Sequence, residues 1–271
     1  MYVENQCYPL IANSTIQNHI TNSYPAIYLR YSLARFYNVD VINNNGTAIK
    51  FSSVWNEPGV ILENITATNN AGYGIELDTS YDIYMVNSII WDNVLSQNLN
   101  SSIITPGGQG EIDYDYSNIV YPYPEWIPCC GNISQEPQFN DDYSLEIGSP
   151  CIDSGDPNLW YNDLDGSRND MGKNGGLFVY PSFKSYDFGE VGSLGGDTTM
   201  EIYNARNDGI VIDSVAFSNN NVFNTNSVFP MHIEANRDSE IDINCISNYE
   251  GFIQDSMIVY STQLPENLPF H

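Results

Sequence analysis

Apolar and polar residues alternate along this chain in short runs, and through its first part the runs return at a nearly constant interval. The blocks NSTIQN (13–18), NVDVIN (38–43), NITATN (64–69) and NSIIWD (87–92) each open on an asparagine, and that asparagine recurs after 25, 26 and 23 residues. Two flanking patterns keep the same phase. Ahead of the asparagine stand alternating apolar pairs, Ala34 and Phe36, Val60 and Leu62, Ile83 and Met85. Behind it come glycine-containing turns and a further short strand, GTAIKF (46–51) and GIEL (74–77), which place Ile49 and Ile75 each 11 residues after Asn38 and Asn64. Period-two alternation in runs of Val, Ile, Tyr and Thr predicts strands, and no sustained i, i+3, i+4, i+7 pattern predicts a helix. Each repeat therefore holds about three short strands.

A unit this small cannot bury its own apolar face, so it has to stack on its neighbours with like positions about 4.8 Å apart. The expected fold class is all-β, beginning with a β-solenoid whose inward residues form the core. Asparagine suits the corners because it tolerates the left-handed backbone conformation and its amide can bond to the amide one rung away. The same placement accounts for several of the N-x-S/T sequons at Asn13, Asn45, Asn64, Asn100 and Asn132 without invoking glycans.

After GKNGG (172–176) the pattern changes to separate alternating strands about ten residues apart. They are Phe178–Tyr180, Thr199–Tyr203, Ile210–Phe217, Met231–Ile233, Ile241–Cys245 and Ser256–Tyr260, a spacing that suits an antiparallel sandwich. The expected division is a solenoid with a C-terminal cap over 1–176 and a β-sandwich over 177–271.

Composition narrows the function. Eight Lys and Arg against 34 Asp and Glu leave a formal charge of −26, which repels nucleic acid and anionic membranes, so neither is an expected partner. The charge is spread without an acidic run and reads as a strongly hydrated surface. No stretch approaches the roughly 18 to 20 apolar residues of a membrane helix, and Met1 leads into polar YVENQ instead of a leader peptide. Five cysteines, Cys7, Cys129, Cys130, Cys151 and Cys245, form no CxxC pair. A bridge from Cys129 or Cys130 to Cys151 and a set of free buried thiols are equally open readings.

The rungs with their asparagine corners resemble the right-handed parallel β-helix of the pectate-lyase-like superfamily. The run from GEIDYDYSNI (110–119) through GNISQEPQF (131–139) and YSLEIGSPCIDSGDP (143–157) to DLDGSRNDMG (163–172) resembles the C-terminal end of secreted bacterial β-helix proteins. DFGEVG (187–192), EIYNARNDGIVIDSV (201–215) and Phe223 resemble the immunoglobulin-like module of the ASPM/SPD-2/Hydin type, although NCISNYEG stands where that pattern has glycine and proline. These resemblances imply an extracellular or cell-surface protein. They also imply a chain truncated at both ends, with adhesion, carbohydrate contact or spacing as its role.

Candidate chemistry is sparse. Asp163, Asp165 and Asp170 around Gly166, with Asp156 nearby, could wrap oxygen ligands around calcium. The competing reading has these carboxylates cap turns, with Arg168 pairing one of them and the segment closing the last rung. Tyr121, Tyr123 and Trp126 in YPYPEW, and Trp160 with Tyr161, could stack on pyranose rings of a polysaccharide or cell-surface glycan. A lyase needs a basic residue to abstract a proton and a glycosidase needs paired acids. The rungs offer Arg30, Arg35, Lys50 and His19, and the neighbouring acids Asp78 and Asp82 read as polar loop positions. His19 and His232 read as structural. A non-catalytic module is therefore expected, and the alternative is a fragment of a polysaccharide lyase or glycoside hydrolase whose catalytic rungs lie partly upstream.

Overall fold

The computed structural model describes every residue except 5–6, 21–23, 53–58, 79–81, 94–102, 105–110, 121–128, 193–194, 219–221, 247–250 and 271. For residues 78, 82, 103, 104 and 111 it describes the backbone alone. The chain divides into two compact units. The first is Met1–Pro157 with Arg168–Gly175, and the second is Asn158–Ser167 with Gly176–His271.

The first unit is built from β1 (Tyr2–Glu4), β2 (Leu10–Gln17), β3 (Ile27–Arg30), β4 (Arg35–Ile42), β5 (Ile49–Ser52) and β6 (Val60–Thr68). It continues through β7 (Ile75–Asp78), β8 (Asp82–Val86), β9 (Ile89–Trp91), β10 (Ile103–Ile104), β11 (Glu111–Asp115) and β12 (Asn118–Ile119). Every pairing among these strands is parallel. One sheet runs β1-β3-β5-β7-β10; the other runs β11-β8-β6-β4-β2, with β9 on β6 and β12 on β9. Successive coils contribute to both sheets in turn, so the chain winds as a solenoid.

Like residues lie over like. Ile27, Ile49 and Ile75 form one buried column, Leu29, Phe51 and Leu77 a second, and Phe36, Leu62 and Met85 a third. Each such side chain contributes about 1.5–3 kcal/mol on leaving water, and no coil could collect that alone. Register also places Asn13 over Asn38, Asn64 and Asn87, since the residues on either side of each pair with one another. All four asparagines are left-handed, and so are the residues that end each block, Asn18, Asn43, Asn69 and Asp92, with φ between 46° and 59°. The first set bends each long strand into two arms, which gives the three short strands per coil that the repeat predicts.

The amide ladder itself lies elsewhere. Asn44 Nδ2 donates to Asn70 Oδ1 at 2.8 Å and Asn70 Nδ2 to Asn93 Oδ1 at 2.8 Å, all buried and each one residue past a left-handed corner. The Asn38 column turns its amides to a distant segment instead. Asn38 Nδ2 donates to the carbonyls of Lys173 and Gly175, Asn64 Nδ2 to those of Asp170 and Gly172, and Asn87 Oδ1 accepts the N–H of Asp156. Residues 168–175 thus run along the flank of three successive coils. They strap the stack laterally, where the sequence led us to expect a closure over its final rung. Lys173 fastens one end, with Nζ 2.8 Å from Asp40 Oδ2 and 2.7 Å from Thr15 Oγ1.

The second unit is antiparallel throughout. Its strands are β13 (Val179–Pro181), β14 (Gly196–Asn204), β15 (Ile210–Ile212), β16 (Ser214–Phe217), β17 (Phe223–Asn224), β18 (Met231–Ile233), β19 (Arg237–Cys245), β20 (Met257–Tyr260) and β21 (Leu268–Phe270). They form a four-stranded sheet β13-β14-β19-β17, a three-stranded sheet β16-β20-β21 and the pair β15-β18. The run expected as one strand over 210–217 splits at Asp213, whose N–H donates to Tyr260 O while its carboxylate accepts the N–H of Thr262. Met200, Ile202, Ile212, Ile241, Ile243 and Val259 fill the core. Trp160 joins them from a single 3-10 turn over Leu159–Tyr161, so the excursion 158–167 packs with the second unit although the sequence placed it in the solenoid's cap.

Candidate functional site

Within a strand successive side chains face opposite ways, so the residues between the buried isoleucines and leucines of the β1-β3-β5-β7 sheet point outward. Register aligns Tyr2, Tyr28, Lys50 and Glu76 in one row across that face, with Glu4, Arg30 and Ser52 in the next. The rings of Tyr2 and Tyr28 lie 5.2 Å apart and are tilted by 57°. Tyr24 joins them from the preceding turn. Tyr24 and Tyr2 are 69% and 55% exposed, unusually open for aromatic rings in a folded unit.

Polar groups fix the floor. Lys50 Nζ bonds Glu76 Oε1 at 2.6 Å, and Glu76 Oε2 accepts from Thr47 Oγ1 at 3.2 Å. Tyr28 Oη and Ser52 Oγ share a hydrogen bond at 2.8 Å. Arg30 pairs with Glu4 at 3.0 Å, and hydrogen bonds to Tyr2 and Tyr31 hold its pKa above the ordinary value. Two adjoining clefts of about 500 and 370 Å³ share Tyr24, Pro25 and Tyr28; the larger reaches Lys50 and Glu76, the smaller Tyr2 and His19. The arrangement presents apolar ring faces beside oriented donors and acceptors, the pairing that a sugar ring with its C–H face and hydroxyl rim demands.

The same geometry bears on catalysis. Of the basic residues noted in the rungs, Arg30, Lys50 and His19 gather on this side, while Arg35 opens β4 in the other sheet. Glu4 and Glu76 stand three strands apart, about 14 Å at the inter-strand spacing, beyond the roughly 5–9.5 Å of a glycosidase pair. Each is also tied to a cation. The side chains of Asp78 and Asp82 lie outside the described residues.

The aromatic residues singled out from the sequence fare differently. Tyr121, Tyr123 and Trp126 lie outside the described residues. Trp160 is 2% exposed and donates its indole N–H to the carbonyl of Pro269, and Tyr161 is 6% exposed with Lys184 Nζ 4.0 Å over its ring. Their faces are taken up by the protein. Tyr2, Tyr24 and Tyr28 were not singled out, yet a signal existed: Tyr2, Tyr28, Lys50 and Glu76 occupy the outward slot of each short strand, one place from a buried apolar residue.

The acidic segment is engaged in its own turns. Asp163 Oδ1 accepts the N–H of Gly176 at 2.5 Å, and Asp165 Oδ1 accepts the hydroxyl of Ser167 at 2.6 Å and its N–H at 2.9 Å. Those two bonds hold the Asp165 carboxyl below the usual carboxylate range. Asp170 Oδ1 accepts the N–H of Asp153 at 2.8 Å. Asp163 and Asp165 belong to the second unit, Asp156 and Asp170 to the first. Arg168 is directed at the carbonyls of Gly155 and Ser154 and lies 5.6 Å over the ring of Tyr116, where the sequence reading paired it with a carboxylate. Among the described residues no three His, Cys, Asp or Glu side chains converge as a metal site. None of the five cysteines is in a disulfide; Cys151 is buried and accepts from Asn118 Nδ2 at 3.1 Å.

A family model described as "Right handed beta helix region" matches residues 1–112, the part of the chain that holds nearly all the parallel strands. Neither the curated proteins nor the solved structures contain a match. The first unit contains a right-handed β-helix region.

Proposed function

We propose that the chain is a non-catalytic, carbohydrate-contacting part of an extracellular or cell-surface protein, with its β-helix as the binding platform and an immunoglobulin-like module after it. One observation carries the reading: the rings of Tyr2 and Tyr28 stand in register with a fixed Lys50–Glu76 pair, and exposed Tyr24 joins them over adjoining clefts on one regular face. Parallel strands make that face repetitive along the stack, as a polymer of repeating sugars is. The charge of −26 favours a neutral glycan over a polyuronate.

The test is binding of the purified chain to immobilised neutral and acidic polysaccharides. Retention on at least one neutral glycan is expected, and Tyr24→Ala should weaken it about tenfold, the loss of roughly 1.4 kcal/mol of stacking. No glycan retained, or Tyr24→Ala and Tyr2→Ala binding as tightly as the parent, overturns the reading. Release of oligosaccharide during the assay would favour the lyase or hydrolase alternative.

A further inference from the structure

We infer that Cys129 and Cys130 form a redox-active dithiol that closes to a vicinal disulfide in exchange with small-molecule disulfides. Neighbouring side chains on an extended strand point opposite ways, so adjacent cysteines ordinarily keep their sulfurs apart. Here the backbone reverses. Asn132 N–H donates to Cys129 O at 2.9 Å, closing a four-residue turn whose central residues, Cys130 and Gly131, have φ of +59° and +73°. Two positive φ values belong to the type I′ turn, which favours Asn, Asp or Gly at its first central position. A cysteine held there brings its sulfur to 2.9 Å from that of Cys129, and both residues are exposed.

The solenoid fixes this turn. The bridge between Ile133 and Asn118 puts Gly131 over Tyr116 in the left-handed column, and Tyr116 N–H donates to Cys130 O at 2.9 Å. A Cβ on Gly131 would fall 2.1 Å from the Tyr116 ring, so only glycine lets the turn sit this close. The two thiols are thereby held together before any reaction, which removes most of the entropy cost of closing the ring.

The exchange balances without a cofactor. The Cys130 thiol donates its hydrogen bond to Cys129 Sγ, which favours Cys129 as the attacking thiolate. Cys129 attacks one sulfur of the small disulfide, breaking its S–S bond and expelling one thiolate. Cys130 then attacks Cys129 Sγ in the mixed disulfide and expels the second. The protein loses two electrons, the small disulfide gains them, and both thiol protons leave on the expelled thiols. The hydrogen bond to Cys129, with desolvation and the charge of Asp115 behind it, pushes the Cys130 thiol up to about 11. In the dithiol, Cys129 is therefore the first of the two to lose its proton, which sets the order of the two attacks.

The experiment treats the whole chain with a pyridyl disulfide, counts released thione by absorbance and maps the cysteine peptides by mass spectrometry. The expected result is a peptide holding Cys129 and Cys130 that is lighter than the dithiol by two hydrogens and carries no adduct. Cys130→Ser should stop the reaction at a mixed disulfide on Cys129. Stable adducts on both cysteines of the parent chain, an unreacted pair, or either sulfur bonded to Cys7, Cys151 or Cys245 would overturn the inference.

Discussion

Asn70 is the residue on which the ladder reading can be tested hardest. Its amide is 1% exposed and makes five polar contacts. Nδ2 donates to Val41 O, Thr68 O and Asn93 Oδ1 at 2.7, 3.1 and 2.8 Å, and Oδ1 accepts Asn44 N–H and Nδ2 at 3.1 and 2.8 Å. Asn70→Ala removes all five at a buried site that joins three coils. The amide nitrogen has two hydrogens for its three acceptors, so these contacts amount to four bonds; at about 1 kcal/mol per bond the cost is about 4 kcal/mol, falling to about 3 if a water occupies the vacated space. That is a large fraction of the 5–15 kcal/mol typical of a folded domain. The neighbouring Asn69→Gly is the control. Its site is left-handed, which glycine accepts, and the substitution removes only an exposed bond to Tyr143 Oη, so it should cost under about 1 kcal/mol. Urea unfolding, with hydrogen exchange of peptides from 35–68 to identify the solenoid transition, measures both. Asn70→Asp keeps the shape but replaces a donor with a carboxylate facing three acceptors. It should cost at least as much as alanine at neutral pH and recover on acidification. The reasoning is refuted if Asn70→Ala lies within about 1 kcal/mol of the parent, or costs no more than Asn69→Gly.

Lys173→Met tests the lateral strap through pH. Burial holds the Asp40 carboxyl above its ordinary value, and Lys173, Thr15 and Thr66 pull it part of the way back. With the folded pKa raised, the folded state binds this proton more tightly than the unfolded state. The group's contribution is thus complete below about 4 and is lost as pH rises through the folded pKa. Without the Lys173 ammonium that pKa climbs further, so urea midpoints should fall with pH over a wider range, by about 2 kcal/mol at neutral pH, between the values for surface and buried pairs. Equal stability of parent and variant at pH 7 would contradict the strap. Trp160→Phe removes the indole bond to Pro269 and some buried area, so it should cost about 1–3 kcal/mol in the thermal transition of the second unit alone. A loss in the solenoid transition instead would show that 158–167 packs with the first unit.

Stacking was legible before any coordinates because it is written in period. Asn38 and Asn64, with Ile49 and Ile75 in step behind them, force one register, since a one-residue slip would turn each buried row outward. The left-handed corners were equally legible, because asparagine is the residue other than glycine that most readily accepts them. The alternation that runs from Phe178–Tyr180 through Ser256–Tyr260 likewise announced antiparallel strands after residue 177.

What the sequence could not decide was where each polar group spends its bonds. The asparagine at the start of each block looks like the natural ladder residue, but a left-handed corner turns its amide toward whatever passes outside, and for Asn38 and Asn64 that is a segment more than 100 residues away in the chain. The ladder fell to Asn44, Asn70 and Asn93 because their side chains project along the stack, an orientation set by the coil's path and invisible in spacing. Aromatic residues tell the same story. Trp160, in an acidic loop-like stretch, reads as an exposed surface ring, yet it is buried because the core of the second unit takes in the excursion that carries it. Tyr2 and Tyr28 were not singled out, yet they line an open cleft because parallel strands send alternate side chains to opposite faces, and the turn before β3 adds Tyr24 to it. Period is a local property and survives in one dimension. The partner of a side chain is chosen by distance in three, and that choice was made only when the coils closed on one another.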